Sequence, residues 1–460
     1  MFNKLKAKKI NYLECFLYRK DSVALGLLGK IELLYLCRLF MNKLLRFILC
    51  AFIVCCIIDN ARAQENKTIP LAALPVTDTI PPKVSKKDSV PQIDLYYVLS
   101  RYVLGNKPNK NKKDTIGSKP TLSVLPALGY TLTSGLAFTV SGNLAFRTNP
   151  NDERISTITA SAAFDVKSQF TMPIQSNIWS KNGKYLYIGD FRFYKYPQNT
   201  YGLGSNSNIN SIDTMSFTYF RFYETVMRRI TENLNLGIGY IIDYHGDIDY
   251  SLKNSNGTVP DYVGYGPRTN TVSSGFTING SYDSRDNSIN PSKGSYTAFQ
   301  YRNSPTFLGS TTAWSSLIID VRRYYKFPAN SENVLAFWNY DWLVLNGKPP
   351  YLDLPATSWD PYSSTGRGYI QGRFRGAQMV YLESEYRFNI SRNGLFGGVV
   401  FVNAESVSAA NGTGLQGIQP GFGPGLRIKL NKVSKTNIDI DYGFGREGSK
   451  GLFVNVGELF

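Results

Sequence analysis

The chain has 460 residues, 43% of them apolar and 14% aromatic, with a formal charge of +17. No run of eighteen apolar residues occurs, which excludes a bundle of membrane-crossing helices. The basic surplus is scattered rather than gathered on one helix or on an aromatic-interleaved stripe, which excludes a nucleic-acid partner.

Read in chain order, residues 41–63 have the layout of a secretory signal. Lys43 and Arg46 precede or flank an apolar run from Phe47 to Ile58, and Ala61-Arg62-Ala63 stands before Gln64 as a small-residue cleavage site. Residues 1–40 are then expected to lie upstream of the true start. A lipoprotein cut at Cys55 or Cys56 is the weaker alternative, because no small-residue box precedes either. All five cysteines (Cys15, Cys37, Cys50, Cys55 and Cys56) fall before Ala63, so cleavage leaves a thiol-free chain in which disulfides and thiolate metal sites are excluded. Residues 1–63 also hold 11 Lys/Arg and 4 Asp/Glu, so their loss lowers the formal charge from +17 to +10.

Residues 64–120 are rich in Pro, Lys, Ser and Thr, with Pro81-Pro82, Lys86-Lys87 and the run from Lys107 to Lys119 marking periplasmic linker. Within them, Ile93 to Leu104 is apolar nearly all round and stops at Gly105. The pattern predicts a helix of about twelve residues, with a strand as the alternative. It needs cover, either under a barrel or as a plug inside one, and composition does not separate the two.

From residue 121 to 460 the pattern is that of short strands. Leu234, Leu236, Ile238, Tyr240, Ile242 and Tyr244 share a side, as do Val334, Ala336, Trp338, Tyr340, Trp342 and Val344. Val380, Leu382, Tyr386, Phe388 and Ile390 oppose Glu383, Glu385 and Arg387, and Ile438, Ile440, Tyr442 and Phe444 alternate with Asp439, Asp441, Gly443 and Gly445. Aspartates on the core face of a soluble sandwich would be costly, whereas a hydrated lumen solvates them. The last ten residues place Leu452, Val454, Val456 and Phe460 on one side, the ending a closing barrel strand needs, with the Phe460 ring expected at the membrane interface. The fold class is therefore all-β, a transmembrane antiparallel barrel. Length bounds the strand number: sixteen strands leave about 21 residues for each strand and its connection, eight about 43 and twenty-two about 15, so twelve to eighteen are expected.

Two internal segments narrow this further. Asp283-Ser284-Arg285-Asp286-Asn287, followed by Pro291 and Gly294, resembles a hairpin motif of the BamA/TamA superfamily of outer-membrane assembly and translocation barrels, the bacterial surface antigen type. Gly366-Arg367-Gly368-Tyr369 with Gly372 to Gly376, then Glu383 to Phe388, resembles that superfamily's lid loop and the strand after it, and Gly423 to Arg427 with Asp441-Tyr442-Gly443 resembles its closing strands. The four elements stand in the family's order between about residue 280 and the end; the preceding 160 residues are compatible but carry no motif.

That resemblance implies a lid-loop motif of Arg367, Gly368 and Tyr369 whose arginine docks on the inner wall. An arginine entering a lumen needs carboxylates to offset its desolvation, and Glu383, Glu385, Glu405, Asp439 and Asp441 are the inward candidates. The sequence departs from the family in two places. Asn403 stands where the family offers an aspartate, so Glu405, two residues on, is the expected substitute. Residues 64–120 are also too short for a POTRA domain, which weakens transfer of the family's client-receiving role.

Other constellations fail. His245, the one histidine, sits in Asp243-Tyr244-His245-Gly246-Asp247 and reads as a solvated hairpin tip. A single histidine makes no zinc triad, and no Gly-x-Ser-x-Gly elbow supports a lipase. The glycines at 421, 423 and 425 precede a strand pattern and make no phosphate cradle. No catalytic residue, metal or cofactor is expected. The resemblance implies a non-enzymatic outer-membrane protein that helps insert or translocate proteins or lipids. Its partners would be outer-membrane lipids, client outer-membrane proteins, or a periplasmic or lipoprotein partner held through residues 64–120. A gated passive channel and a platform subunit of an outer-membrane complex are the alternatives.

Overall fold

A computed structural model of the chain describes residues 90–102, 120–131, 135–149, 154–253, 255–432 and 434–460. The signal and most of the linker expected from the sequence lie outside them.

After a helix α1 (Leu95–Tyr102), sixteen strands follow: β1 (Thr121–Thr131), β2 (Gly135–Phe146), β3 (Ser156–Asp165), β4 (Phe170–Trp179), β5 (Tyr185–Thr200), β6 (Asp213–Arg229), β7 (Leu234–Tyr250) and β8 (Thr271–Asp283) make the first half. The second half comprises β9 (Gly294–Ser304), β10 (Trp314–Lys326), β11 (Val334–Gly347), β12 (Gln378–Asn389), β13 (Phe396–Val407), β14 (Gln419–Asn431), β15 (Thr436–Phe444) and β16 (Lys450–Val456). They form one antiparallel sheet in sequence order. Its end strands, β1 and β16, lie side by side, yet among the described residues no ladder joins them, whereas every other neighbouring pair is laddered. Connections are short at one end of the barrel, such as 390–395, and long at the other, where 348–377 joins β11 to β12. This asymmetry is the outer-membrane pattern of short periplasmic turns and longer outer loops.

Alternation sorts the wall into two faces. In β7, Leu236, Ile238 and Tyr244 are exposed on the outside while Asn235, Asp243 and His245 are buried inside; in β12, Leu382 is exposed and Glu383 and Glu385 are buried. β11 inverts the assignment. Its apolar set Val334, Ala336, Trp338, Tyr340 and Val344 is buried on the lumen side, and Phe337 and Leu345 face out. The reason is that the lumen is filled: the 348–377 loop packs Tyr369 and Phe374 against these side chains.

The inner wall is uneven. From β5 to β15 it carries buried arginines and carboxylates, whereas along the middle of β2 to β4 the inward residues are small and uncharged, among them Thr139, Ser141, Asn143, Thr157, Gln175 and Asn177, none of them buried; Asp165, buried at the end of β3 opposite Ala137, departs from this.

Two terminal segments bear on the site. Asp94 accepts from the Tyr97 N–H (2.8 Å), capping α1, and from the Lys432 N–H (3.0 Å), while the Ile93 N–H donates to the Asn393 carbonyl (3.0 Å). These bonds anchor the start of α1 on the short turns after β12 and β14. The expected helix over 93–104 thus begins two residues later, and Val103 and Leu104 lie outside the described residues. At the other terminus the expectation for Phe460 fails. β16 stops at Val456, Gly457 takes φ 105°, and the chain turns inward, so the Phe460 ring is 3% exposed and stacks on Trp338 at 5.2 Å. A buried partner on the inner wall outweighs the strand alternation that would have carried the ring outward.

Candidate functional site

The site is the 348–377 loop clamped inside the barrel. Its shape is set by its own polar groups. Arg375, 1% exposed, donates from Nη1 to the carbonyls of Tyr351 (3.1 Å), Leu352 (3.3 Å) and Leu354 (3.4 Å). The Thr357 N–H donates to the Phe374 carbonyl (3.0 Å), and Oδ1 of Asp360 accepts from the backbone N–H groups of Ser364 (2.9 Å) and Thr365 (2.8 Å), closing the tip as a turn.

At that tip Arg367 stands between Gly366 (φ 77°) and Gly368 (φ 106°), two left-handed positions that glycine adopts without strain. The guanidinium is 1% exposed. It donates to Glu383 and Glu385 through Nη2 and to Asp441 through Nη1 (2.5 Å), and its Cζ lies 3.6 Å from the centroid of the Phe401 ring. Three carboxylates and a ring face around one planar cation give the charge compensation that burial demands.

The wall is shaped to receive this tip. A Cβ on Gly421 would stand 2.5 Å from the Arg367 carbonyl oxygen, and one on Gly443 2.5 Å from the Gly368 nitrogen. Missing side chains on β14 and β15 therefore let loop backbone lie directly on strand backbone. Asn403 donates from Nδ2 to the Arg367 carbonyl (3.0 Å), Tyr369 donates to the Pro420 carbonyl (2.6 Å), and Ser449 donates to the Gly368 carbonyl (2.7 Å).

Of the acids read as candidates, Glu383, Glu385 and Asp441 converge on Arg367. Glu405 and Asp439 do not. Glu405 instead accepts from the Thr357 hydroxyl (2.9 Å), at a point where the loop backbone passes it so closely that a Cβ on Gly366 would stand 3.3 Å from its Oε1. Asp439 lies 3.1 Å from Nε of Arg427, which also reaches Asp441 (2.5 Å) and Glu458 (2.9 Å). Arg387 continues the network through Glu385 (2.7 Å). Asn403 meets the arginine's carbonyl, not its charge.

The hairpin residues lie at the short-turn end, away from Arg367. Arg285 forms a two-bond fork with Asp283 (2.9 and 2.7 Å), and Asp286 accepts from the N–H groups of Ser292 (2.8 Å) and Lys293 (3.1 Å) and from the Ser292 hydroxyl (2.7 Å). Burial would raise the Asp286 carboxyl, but these donors hold it below the usual carboxylate range. Pro291 is buried, and Gly294 (φ 100°) passes so close to the Ser284 backbone that a Cβ would collide. The turn also crosses to the β14–β15 turn, with Asn290 donating to the Lys435 carbonyl (3.3 Å) and Asp286 lying 3.7 Å from the Lys435 ammonium.

A second charged patch, on β5 to β9, is absent from the sequence reading. Asp190 pairs with Arg192 (2.7 Å) and Arg221 (3.3 Å), and Asp243 pairs with Arg302 (2.6 Å). The loop meets this patch where Arg192 donates to the Pro361 carbonyl (2.6 Å) and Ser273 donates to Asp353 (2.6 Å). His245 belongs here and not at a solvated tip. It is 1% exposed, stacks on Tyr219 at 4.6 Å, and has Nδ1 3.5 Å from Asp353. β7 runs past it to Tyr250, so the apparent turn is strand, and the signal available was that residues 243 and 245 share one face.

Residues 151–450 match the Omp85 superfamily domain. No curated protein is significantly similar in sequence. Among solved structures, the chain is similar to BamA from Haemophilus ducreyi lacking POTRA domains 1–3 (TM-score 0.47, 13% identity, 74% of this chain and 69% of that one). It is also similar to CdiB from Acinetobacter baumannii (TM-score 0.48, 13% identity, 74% of this chain), of whose length it spans 59%. A third similarity is to Wzi, an Escherichia coli outer-membrane protein involved in group 1 capsule assembly (TM-score 0.30, 8% identity, 75% of this chain and 85% of that one). With a match covering the greater part of its length and a single sixteen-stranded sheet behind it, the chain belongs to the Omp85 superfamily.

Proposed function

We propose that this protein is a non-enzymatic outer-membrane barrel that assists insertion or translocation of proteins or lipids, working at the seam between β1 and β16 while the Arg367 loop keeps the lumen closed. The observation that carries this reading is the seam itself: two adjacent strands without a ladder in a sheet otherwise laddered throughout. Unpaired strand edges are templates for added strands, and a lumen occupied by a clamped loop leaves the wall as the more accessible route. Reception of clients falls to a periplasmic or lipoprotein partner held through residues 64–120, a role supported by the anchoring of α1 at the short-turn rim.

Paired cysteines introduced along Thr121–Thr131 and Lys450–Val456 test the seam. Oxidation is expected to abolish the protein's support of other outer-membrane proteins in a depletion strain, and reduction to restore it. Full support from the oxidised, cross-linked protein would refute the reading. Unchanged levels of all other outer-membrane proteins on depletion, with a large conductance on deleting the loop, would establish the channel alternative.

A further inference from the structure

We propose that a cleft among the long loops is a binding site for an anionic sugar, a six-membered ring bearing a phosphate or carboxylate. The cleft, about 230 Å³, lies between α2 (Asp261–Tyr265), the β9–β10 connection and the start of the 348–377 loop. That is at the small end for ligand clefts and suits a single sugar ring.

Its walls are aromatic and fixed. Tyr262 donates to the Arg268 carbonyl (2.7 Å), Tyr265 to the Pro349 carbonyl (2.9 Å), and the Tyr351 hydroxyl bonds that of Thr200 (2.6 Å). With their hydroxyls engaged, the rings offer faces and edges. Tyr262 and Tyr265 meet Tyr351 at 85° and 69°, with centroids 5.1 and 5.7 Å apart. They form a corner rather than a parallel slot, so a flat base has no second face to stack on, while the C–H face of a pyranose fits against one ring.

The polar groups fix the charge. Arg268 and Lys348 line the cleft and no carboxylate does. The Arg268 guanidinium has no acidic partner among the described residues. Lys348 donates to the Tyr265 carbonyl (2.7 Å) with its ammonium 4.4 Å from the Tyr265 ring centroid, leaving two donors for a ligand. An independent observation comes from Thr271. It lines the cleft, is 6% exposed, and its hydroxyl has no hydrogen-bond partner. A buried polar group without a partner is costly, and a sugar hydroxyl at this point satisfies it.

The test uses the full chain folded in detergent, titrated calorimetrically with glucose 6-phosphate, glucuronate, glucose and inorganic phosphate. Both charged sugars should bind, with glucose and phosphate each weaker by about tenfold or more, since each lacks one half of the recognition. Arg268→Ala and Lys348→Ala should each weaken the charged sugars by about tenfold, and Thr271→Val by several-fold, with heat-resistant mobility on gels showing that the barrel is intact. No binding of either charged sugar, equal binding by the folded Arg268→Ala protein, or phosphate binding as tightly as glucose 6-phosphate overturns the proposal. Displacement of the bound sugar by lipopolysaccharide identifies the membrane headgroup as the source of this chemistry; binding without displacement identifies a free sugar.

Discussion

Arg367→Ala is the decisive perturbation of the lumen. It removes a cation that is 1% exposed and leaves Glu383 with the Tyr381 hydroxyl as its remaining hydrogen-bond partner. Breaking a buried ion pair from one side costs about 3–5 kcal/mol. The lower end applies here, because Arg427 and Arg387 still face Asp441 and Glu385. About 3 kcal/mol lowers the ratio of docked to released loop roughly 150-fold. The release should appear as protease cleavage within 348–377 and as a rise in single-channel conductance in planar bilayers. Arg367→Lys keeps a charge but loses the planar fork, so an intermediate effect is expected. Adding Glu383→Gln to Arg367→Ala removes the stranded charge and should restore part of the protection. If Arg367→Ala leaves both conductance and loop protection at the wild-type level, the arginine does not hold the loop and the clamp argument is wrong.

Gly443→Ala should release the loop as Arg367→Ala does while every charge remains, because the new Cβ meets Gly368 backbone at 2.5 Å; the protease assay reports it. Docking should also depend on pH through Asp353, whose buried carboxyl, facing Asp243 and only partly offset by Arg302 and the Ser273 hydroxyl, is pushed up to about 7. Its folded value exceeds the free value of about 3.9, so docking is strongest below that value and weakens as pH rises towards about 7. Asp353→Asn, which keeps an acceptor for Ser273, should flatten protease protection measured across that range. Asp286→Ala removes three hydrogen bonds to the β8–β9 turn and should lower stability by about 1–3 kcal/mol, read from the urea midpoint of barrel unfolding in lipid. An unchanged midpoint would show that the turn is held by other contacts.

A barrel of twelve to eighteen strands was legible from local pattern, a two-residue period over lengths that suit a barrel wall, whereas sixteen strands and the lid role of Arg367 came with the family resemblance that the Gly366-Arg367-Gly368-Tyr369 motif carries. Direction was harder. The period in β11 says that Trp338 and Tyr340 share a side but not which, and only the filled lumen turns that side inward. Phe460 misled for the same reason, since its alternation with Val456 ends at Gly457. The partners of Arg367 were narrowed to five carboxylates by their inward position, but choosing Glu383, Glu385 and Asp441 over Glu405 and Asp439 needed the path of the loop backbone. The Asp190–Arg221–Asp243–Arg302 patch is built from pairs 31, 22 and 59 positions apart on different strands, separations no spacing rule bridges.

The uneven inner wall has a mechanical consequence. Loop, tail and ion pairs brace the arc from β5 to β15, while β2 to β4, apart from Asp165 at the end of β3, present hydroxyls, amides and small side chains that nothing buries. Stress on the ring therefore concentrates in the unballasted arc beside the seam, where bending displaces water instead of breaking salt links. The barrel is built like a bow, stiff along its back and compliant at the limb that ends in β1.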